Sequence, residues 1–124
     1  FLKMLRDLDA GNFKAVYIVC GYTDLRFGID GLASKVQSEF SLNPFDKDTL
    51  FLFCGRRADR IKGLLWEGDG FLLLYKRLED GRFKWPRNAS EVRAMSMQQY
   101  KWLMEGLDIH QKRYVKEVSP KKAL

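Results

Sequence analysis

Apolar and polar positions along the chain follow two different periods, and the switches between them mark the elements. Residues 15–20 (AVYIVC) are β-branched and aromatic without a break and predict a strand that ends at Gly21. Beyond it, Ile29, Leu32, Ala33, Val36 and Phe40 recur at three- and four-residue steps, the spacing of an amphipathic helix. Thr23 is placed to cap that helix, and Asp24 would then favour the positive end of its dipole. Gly28 and Gly31 would each cost about 1 kcal/mol relative to Ala inside such a helix. Two such losses in one turn point to close packing or to a later helix start. SLNPFDKD then reads as a loop.

Residues 50–86 carry the clearest pattern. TLFLFC, RIKGLLW, FLLLYKRL and RFKWP are strand-like, and GRRAD, EGDG and EDGR between them are turn chemistry. They predict a four-stranded antiparallel meander. A hairpin centred on Gly68-Asp69 pairs Trp66 with Phe71, Leu64 with Leu73, Lys62 with Tyr75, and Arg60 with Arg77. One centred on Asp80-Gly81 pairs Arg82 with Glu79 and Lys84 with Arg77. Register sorts side chains by face. Ile61, Leu65, Leu72, Leu74, Leu78, Phe83 and Trp85 collect on a core face, with Lys76 its lone charge. The other face is cationic at one end (Arg60, Lys62, Tyr75, Arg77, Arg82, Lys84) and greasy at the other (Leu64, Trp66, Phe71, Leu73).

After Pro86, RNASEVRAM reads as a loop and a short strand. Ser96 and Gln99 have the spacing of a capping box. Met97, Tyr100, Leu103/Met104 and Leu107 follow at helical spacing, and Gly106 is a natural stop. The expected fold is one α+β domain over residues 1–109. It has an N-terminal strand and helix, a central antiparallel meander and a C-terminal helix, followed by a basic tail over 110–124. Whether the first strand joins the meander sheet stays open.

Composition narrows the function classes. The 124 residues carry 22 Lys+Arg against 16 Asp+Glu, a formal charge of +6, and 46% are hydrophobic, which suits one folded domain rather than a disordered chain. No run approaches the roughly 20 apolar residues of a membrane span. FLKMLRDLDAGN lacks the apolar segment of a secretory signal, so a cytoplasmic protein without membrane contact is expected. Residues 1–55 sum to −1, residues 56–93 to +4 and residues 101–124 to +3, so the positive surplus lies in the middle and at the C-terminus.

The cationic sheet face is therefore the first candidate for chemistry, since Arg and Lys beside a Tyr can grip phosphates while the ring stacks on a base. Its plain alternative is a solvated outer face. The loop GRRADRIK adds Arg56 and Arg57 to Arg60 and Lys62, a compact cationic tip that could read phosphate or a base edge. The greasy half, with Trp66 and Phe71, calls for a cover from a helix or another protein. Asp24, Asp30, Asp59, Glu67 and Asp69 could in principle hold Mg²⁺, but their spacing specifies no site. Cys20 and Cys54 with one His (His110) are too few for a Cys/His zinc site, so no metal or other cofactor is expected. Both cysteines read as small hydrophobes and His110 as a surface residue. Gly28 and Gly31 match neither the dinucleotide nor the Walker pattern.

Three segments carry a resemblance: VYIVCGYTDLRFGIDGLASKVQ, LFLFCGRRADRIKGLLWEGDGFLLLYKRLEDGRFKWP and QYKWLMEGLDI. From about Val16 to Ile109 the chain resembles the TnpB-type accessory protein, from the second reading frame, of insertion sequence family sixty-six. Matched positions include Thr23, Asp24, Arg26, Asp30, Gly55, Arg56, Arg57, Asp59, Arg60, Lys62, Trp66, Lys76, Arg77, Trp85 and Pro86. Leu25 and Phe27 depart from the pattern, where Met and a basic residue are expected. The resemblance implies a small accessory protein of a mobile element, working beside a separate transposase that carries the catalytic residues. It supplies no catalytic residue to this chain.

Residues and resemblance together predict a non-catalytic accessory protein for DNA transposition. DNA is expected on Arg56, Arg57, Arg60, Lys62, Tyr75, Arg77, Arg82 and Lys84, and the transposase or other proteins of the element on Leu64, Trp66, Phe71 and Leu73. The rival is a protein-interaction module of the transposition complex with no direct DNA binding. A metal-dependent nuclease is a third reading.

Overall fold

The computed structural model describes residues 13–88 and 91–110. Apart from His110, the predicted basic tail lies outside the described residues. Along them run β1 (Ala15–Val19), α1 (Ile29–Phe40), β2 (Thr49–Cys54), β3 (Arg60–Trp66), β4 (Phe71–Arg77), β5 (Val92–Ala94) and α2 (Met97–Met104). The five strands form one mixed sheet in the order β4-β3-β2-β1-β5. The first strand does join the meander: β1 lies parallel to β2, with Ala15 opposite Thr49 and Ile18 opposite Leu52, and α1 makes the crossover between them. β5 closes the other edge antiparallel to β1. Among the described residues no helix is long and apolar enough to cross a membrane.

Burial follows from this order. β2 is central and buried at all six of its residues, which is why TLFLFC is apolar on both faces rather than alternating. Phe51 and Phe53 point to one side with Val19 and Leu64, where Leu32 and Val36 of α1 cover them. Leu50, Leu52 and Cys54 point to the other side with Val16, Ile18 and Ile61, beneath Tyr100, Leu103 and Met104 of α2. β4 is an edge strand, and none of its residues is fully buried.

The β3–β4 register is the expected one at every pair, from Trp66–Phe71 to Arg60–Arg77. Gly68 holds φ +96 at the turn, a conformation that a residue with a Cβ adopts only under strain, and Glu67 N–H donates to the Gly70 carbonyl at 2.9 Å. The capping box of α2 is also present: Gln99 N–H donates to Ser96 Oγ at 3.1 Å, and Ser96 N–H to Gln99 Oε1 at 3.0 Å.

Two expectations are corrected. Thr23 does not cap α1, which starts at Ile29 with Gly28 as its N-cap. The segment before it is a loop tied to the sheet, because Thr23 N–H donates to the Cys54 carbonyl at 2.8 Å. Close packing is real as well: a Cβ on Gly31 would sit 3.0 Å from the Phe27 side chain.

The second correction concerns RFKWP, which is no strand, so the meander has three strands and not four. After Gly81 the chain turns beneath the sheet, where Phe83 N–H donates to the Ala58 carbonyl at 2.7 Å. Trp85 Nε1–H donates to the Val19 carbonyl at 2.9 Å. A strand docked outside β4 would lie four strand spacings from β1, about 19 Å, and could not reach that acceptor. Burying Phe83 and Trp85 under the middle of the sheet also removes more apolar surface from water than an edge position would. The predicted Arg82–Glu79 and Lys84–Arg77 pairs therefore do not form, and Glu79 binds Arg77 instead at 2.9 Å.

Candidate nucleic-acid interface

Because β1 and β2 are parallel, the loops that follow them leave the same end of the sheet. In open sheets with parallel strands this carboxyl end is where ligand crevices form. Here the loop of residues 21–28 and the tight turn of residues 55–59 stand as two walls of an open cleft of about 920 Å³. Tyr22 through Arg26 line one wall, Gly55 to Arg57 with Asp59 and Arg60 the other, and Lys62, Leu73 and Tyr75 lie on the sheet between them.

A second hollow opens on the far side of the Arg56-Arg57 turn. Arg82, Lys84, Arg87, Arg93 and His110 line it, and it shares Tyr22, Arg56 and Arg57 with the cleft. Those three residues form a ridge between two basic depressions. The two depressions together are lined by nine Lys and Arg side chains and four Asp and Glu.

Pairing separates the cations that are already neutralised from those that are not. Asp24 binds Arg26 at 2.7 Å, and it also accepts from the Arg26 backbone N–H at 2.9 Å. These hydrogen bonds from Arg26 hold the Asp24 carboxyl down at about 2. Arg60 Nε lies 3.5 Å from Asp59 Oδ1, a charge contact without hydrogen-bond geometry. Arg93 pairs with Glu91 and reaches His110 at 2.6 Å. Lys62 donates to the Phe27 carbonyl at 2.9 Å and stands 5.8 Å from the centre of the Tyr75 ring. Arg56, Arg57, Arg82, Lys84 and Arg87 are exposed and have no ion pair among the described residues.

The sequence-predicted residues are thus divided. Arg56, Arg57, Arg60, Lys62 and Tyr75 come together in the cleft. Arg82 and Lys84 face the second hollow, because their segment crosses the opposite side of the sheet. Arg77 sits outside both, engaged by Glu79. Sequence reasoning missed Tyr22, Arg26, Arg87 and Arg93 as neighbours of these residues. The signal that would have placed the first two is the parallel pairing of β1 with β2, which no local pattern specifies.

The greasy half of the same sheet face has a cover of its own. Leu64 is fully buried beneath α1, and Leu73 and Phe71 pack against the same cluster. Leu64 is therefore withdrawn from any docking surface by the chain's own helix. What remains accessible is an aromatic corner: Phe45, 51% exposed, lies 5.1 Å from both Trp66 and Phe71, ring centre to ring centre.

Among the described residues no three His, Cys, Asp or Glu side chains gather closely enough to hold a metal ion. Asp24 and Asp59 are engaged by arginines, and Glu67 and Asp69 lie at the other end of β3. Cys20 and Cys54 are free thiols buried in one core cluster. Burial raises both, Cys54 to about 12, so neither is a ready thiolate.

Comparison with known proteins follows the same residues. The chain is 40% identical over 101 residues to the uncharacterized protein y4hO of Sinorhizobium fredii, covering 82% of this chain and 87% of that one. It is 35% identical over 85 residues to the uncharacterized protein y4jC of the same organism, covering 68% and 72%. No solved structure matches. The profile of the family described as "IS66 Orf2 like protein" matches residues 14–114, a span that takes in β1, the cleft and α2. The chain belongs to the IS66 Orf2-like family, which connects it with an insertion sequence and an accessory part in transposition.

Proposed function

We propose that the chain is a non-catalytic transposition accessory protein that binds the DNA of its element along the basic ridge and its two flanking depressions. The observation that carries this reading is the set of five unpaired cations, with Arg56 and Arg57 at its centre. Bringing like charges together at one end of a small sheet raises the energy of the fold, and no acid within the described residues neutralises them. A polyanion would.

Docking of the transposase falls to the aromatic corner of Phe45, Trp66 and Phe71 at the opposite end of the sheet. The rival interaction-module reading keeps this corner and drops the DNA. The two separate in a titration of the full chain against labelled element-end DNA at about 50 and about 200 mM salt. Each phosphate contact adds about 0.9 to the slope of log affinity against log salt. Salt-sensitive binding whose slope falls by about 2 in Arg56→Ala/Arg57→Ala is the expected result. No binding at the lower salt would leave the interaction module standing.

A further inference from the structure

We infer that the strand this cleft accepts is single-stranded DNA, with bases stacked on Tyr75 and Tyr22. The inference rests on the DNA-binding reading above and narrows its substrate. Three features of the site carry it. The first is shape. Reading a duplex through its major groove takes a protruding helix or two-stranded ribbon. Here the cations line concave walls, and neither helix offers a basic face: on α1 Lys35 is paired with Glu39 at 2.9 Å, and α2 holds Lys101 alone.

The second feature is the pair of rings. Tyr75 is 54% exposed and Tyr22 is 41% exposed, and both line the cleft among the arginines. Large exposed aromatics interleaved with cations are the makings of a stacking platform, which is of use only to a base that is not already stacked in a duplex. Lys62, 5.8 Å from the Tyr75 ring centre and anchored on the Phe27 carbonyl, steadies that ring from one side. The third feature is continuity. Tyr22, Arg56 and Arg57 belong to both depressions, so a flexible backbone can run from the Tyr75 end of the cleft over the ridge towards Arg82 and Lys84. A stiff duplex could not follow that bend without a large deformation cost.

The test is an anisotropy titration of the full chain with one element-end sequence, as a labelled single strand and as a blunt duplex, at about 50 mM salt. The single strand is expected to bind at least about tenfold more tightly. Tyr75→Ala and Tyr22→Ala are each expected to weaken the single strand by about tenfold and the duplex by much less, about twofold at most, while Tyr75→Phe retains binding. Both tyrosines are well exposed, so their replacement leaves the core intact, which circular dichroism melts verify. Duplex binding equal to or tighter than the single strand would overturn the inference and leave the DNA reading in place. So would alanine variants that weaken both probes alike. Absence of binding to either probe overturns both.

Discussion

The two ends of the sheet are built on opposite terms. At the amino end of β1 and β2, charges answer one another and rings pack: Lys14 binds Asp46 at 3.0 Å, and Phe45 closes against Trp66 and Phe71. At the carboxyl end, five cations stand unpaired around exposed tyrosines. The same strands run through both ends, so the contrast does not come from the framework. It comes from what the loops carry. One end satisfies itself, while the other leaves Arg56, Arg57, Arg82, Lys84 and Arg87 exposed without an ion pair among the described residues.

The comparison is broken most severely by a cut between the two ends. Leu64→Ala should cost about 2–5 kcal/mol in denaturant unfolding, because the side chain is fully buried under α1 and leaves a cavity. Both ends should weaken together with it. A loss of partner binding with unchanged stability would instead make Leu64 a contact residue. Next comes Arg56→Ala/Arg57→Ala, expected to lose about tenfold in DNA affinity per arginine at about 50 mM salt. Its melting temperature should hold or rise, since mutual repulsion is relieved. Phe45→Ala sharpens the contrast from the other side. Removing its two ring contacts should cost about 1 kcal/mol and leave DNA affinity untouched.

The smallest effect is expected at Asp24. Its carboxyl is lowered to about 2 by hydrogen bonds from Arg26, below its unfolded value near 3.8. A depressed folded pKa contributes stability that is present above the unfolded value and is lost as pH falls towards about 2. NMR titration should therefore find this carboxylate ionised through pH 4, with Asp24→Asn removing the acid-side loss. The same variant frees Arg26 on the cleft wall and should raise DNA affinity slightly.

Legibility in the sequence followed contact range. Turn chemistry at Gly68-Asp69 sets the whole β3–β4 ladder, because a two-residue loop with positive φ permits one register only. The Ser96–Gln99 capping box placed α2 for the same local reason. The misplaced elements were both displaced by long-range contacts, whereas Arg77 was taken out of the site by a local partner, Glu79. Thr23 looks like an N-cap, and what displaces that role is a backbone hydrogen bond to Cys54, thirty-one residues away along the chain. RFKWP has strand composition, yet Trp85 finds its acceptor on β1 rather than on its neighbour β4.

Residue order by itself therefore determined the α+β class, the hairpin register, the cationic run at 55–62 and the family resemblance, each read from short stretches of the chain. Tertiary structure decided how these meet. The parallel pairing of β1 with β2 brings the loop of Tyr22 beside the turn of Arg56. The crossing of residues 83–85 beneath the sheet moves Arg82 and Lys84 off the Tyr75 face and into the second hollow. α1 seals Leu64, which the strand pattern alone left open to a partner. The physical reason is common to all three. Each is set by which apolar surfaces bury one another across the fold, and that choice has no signature in any short stretch of the chain.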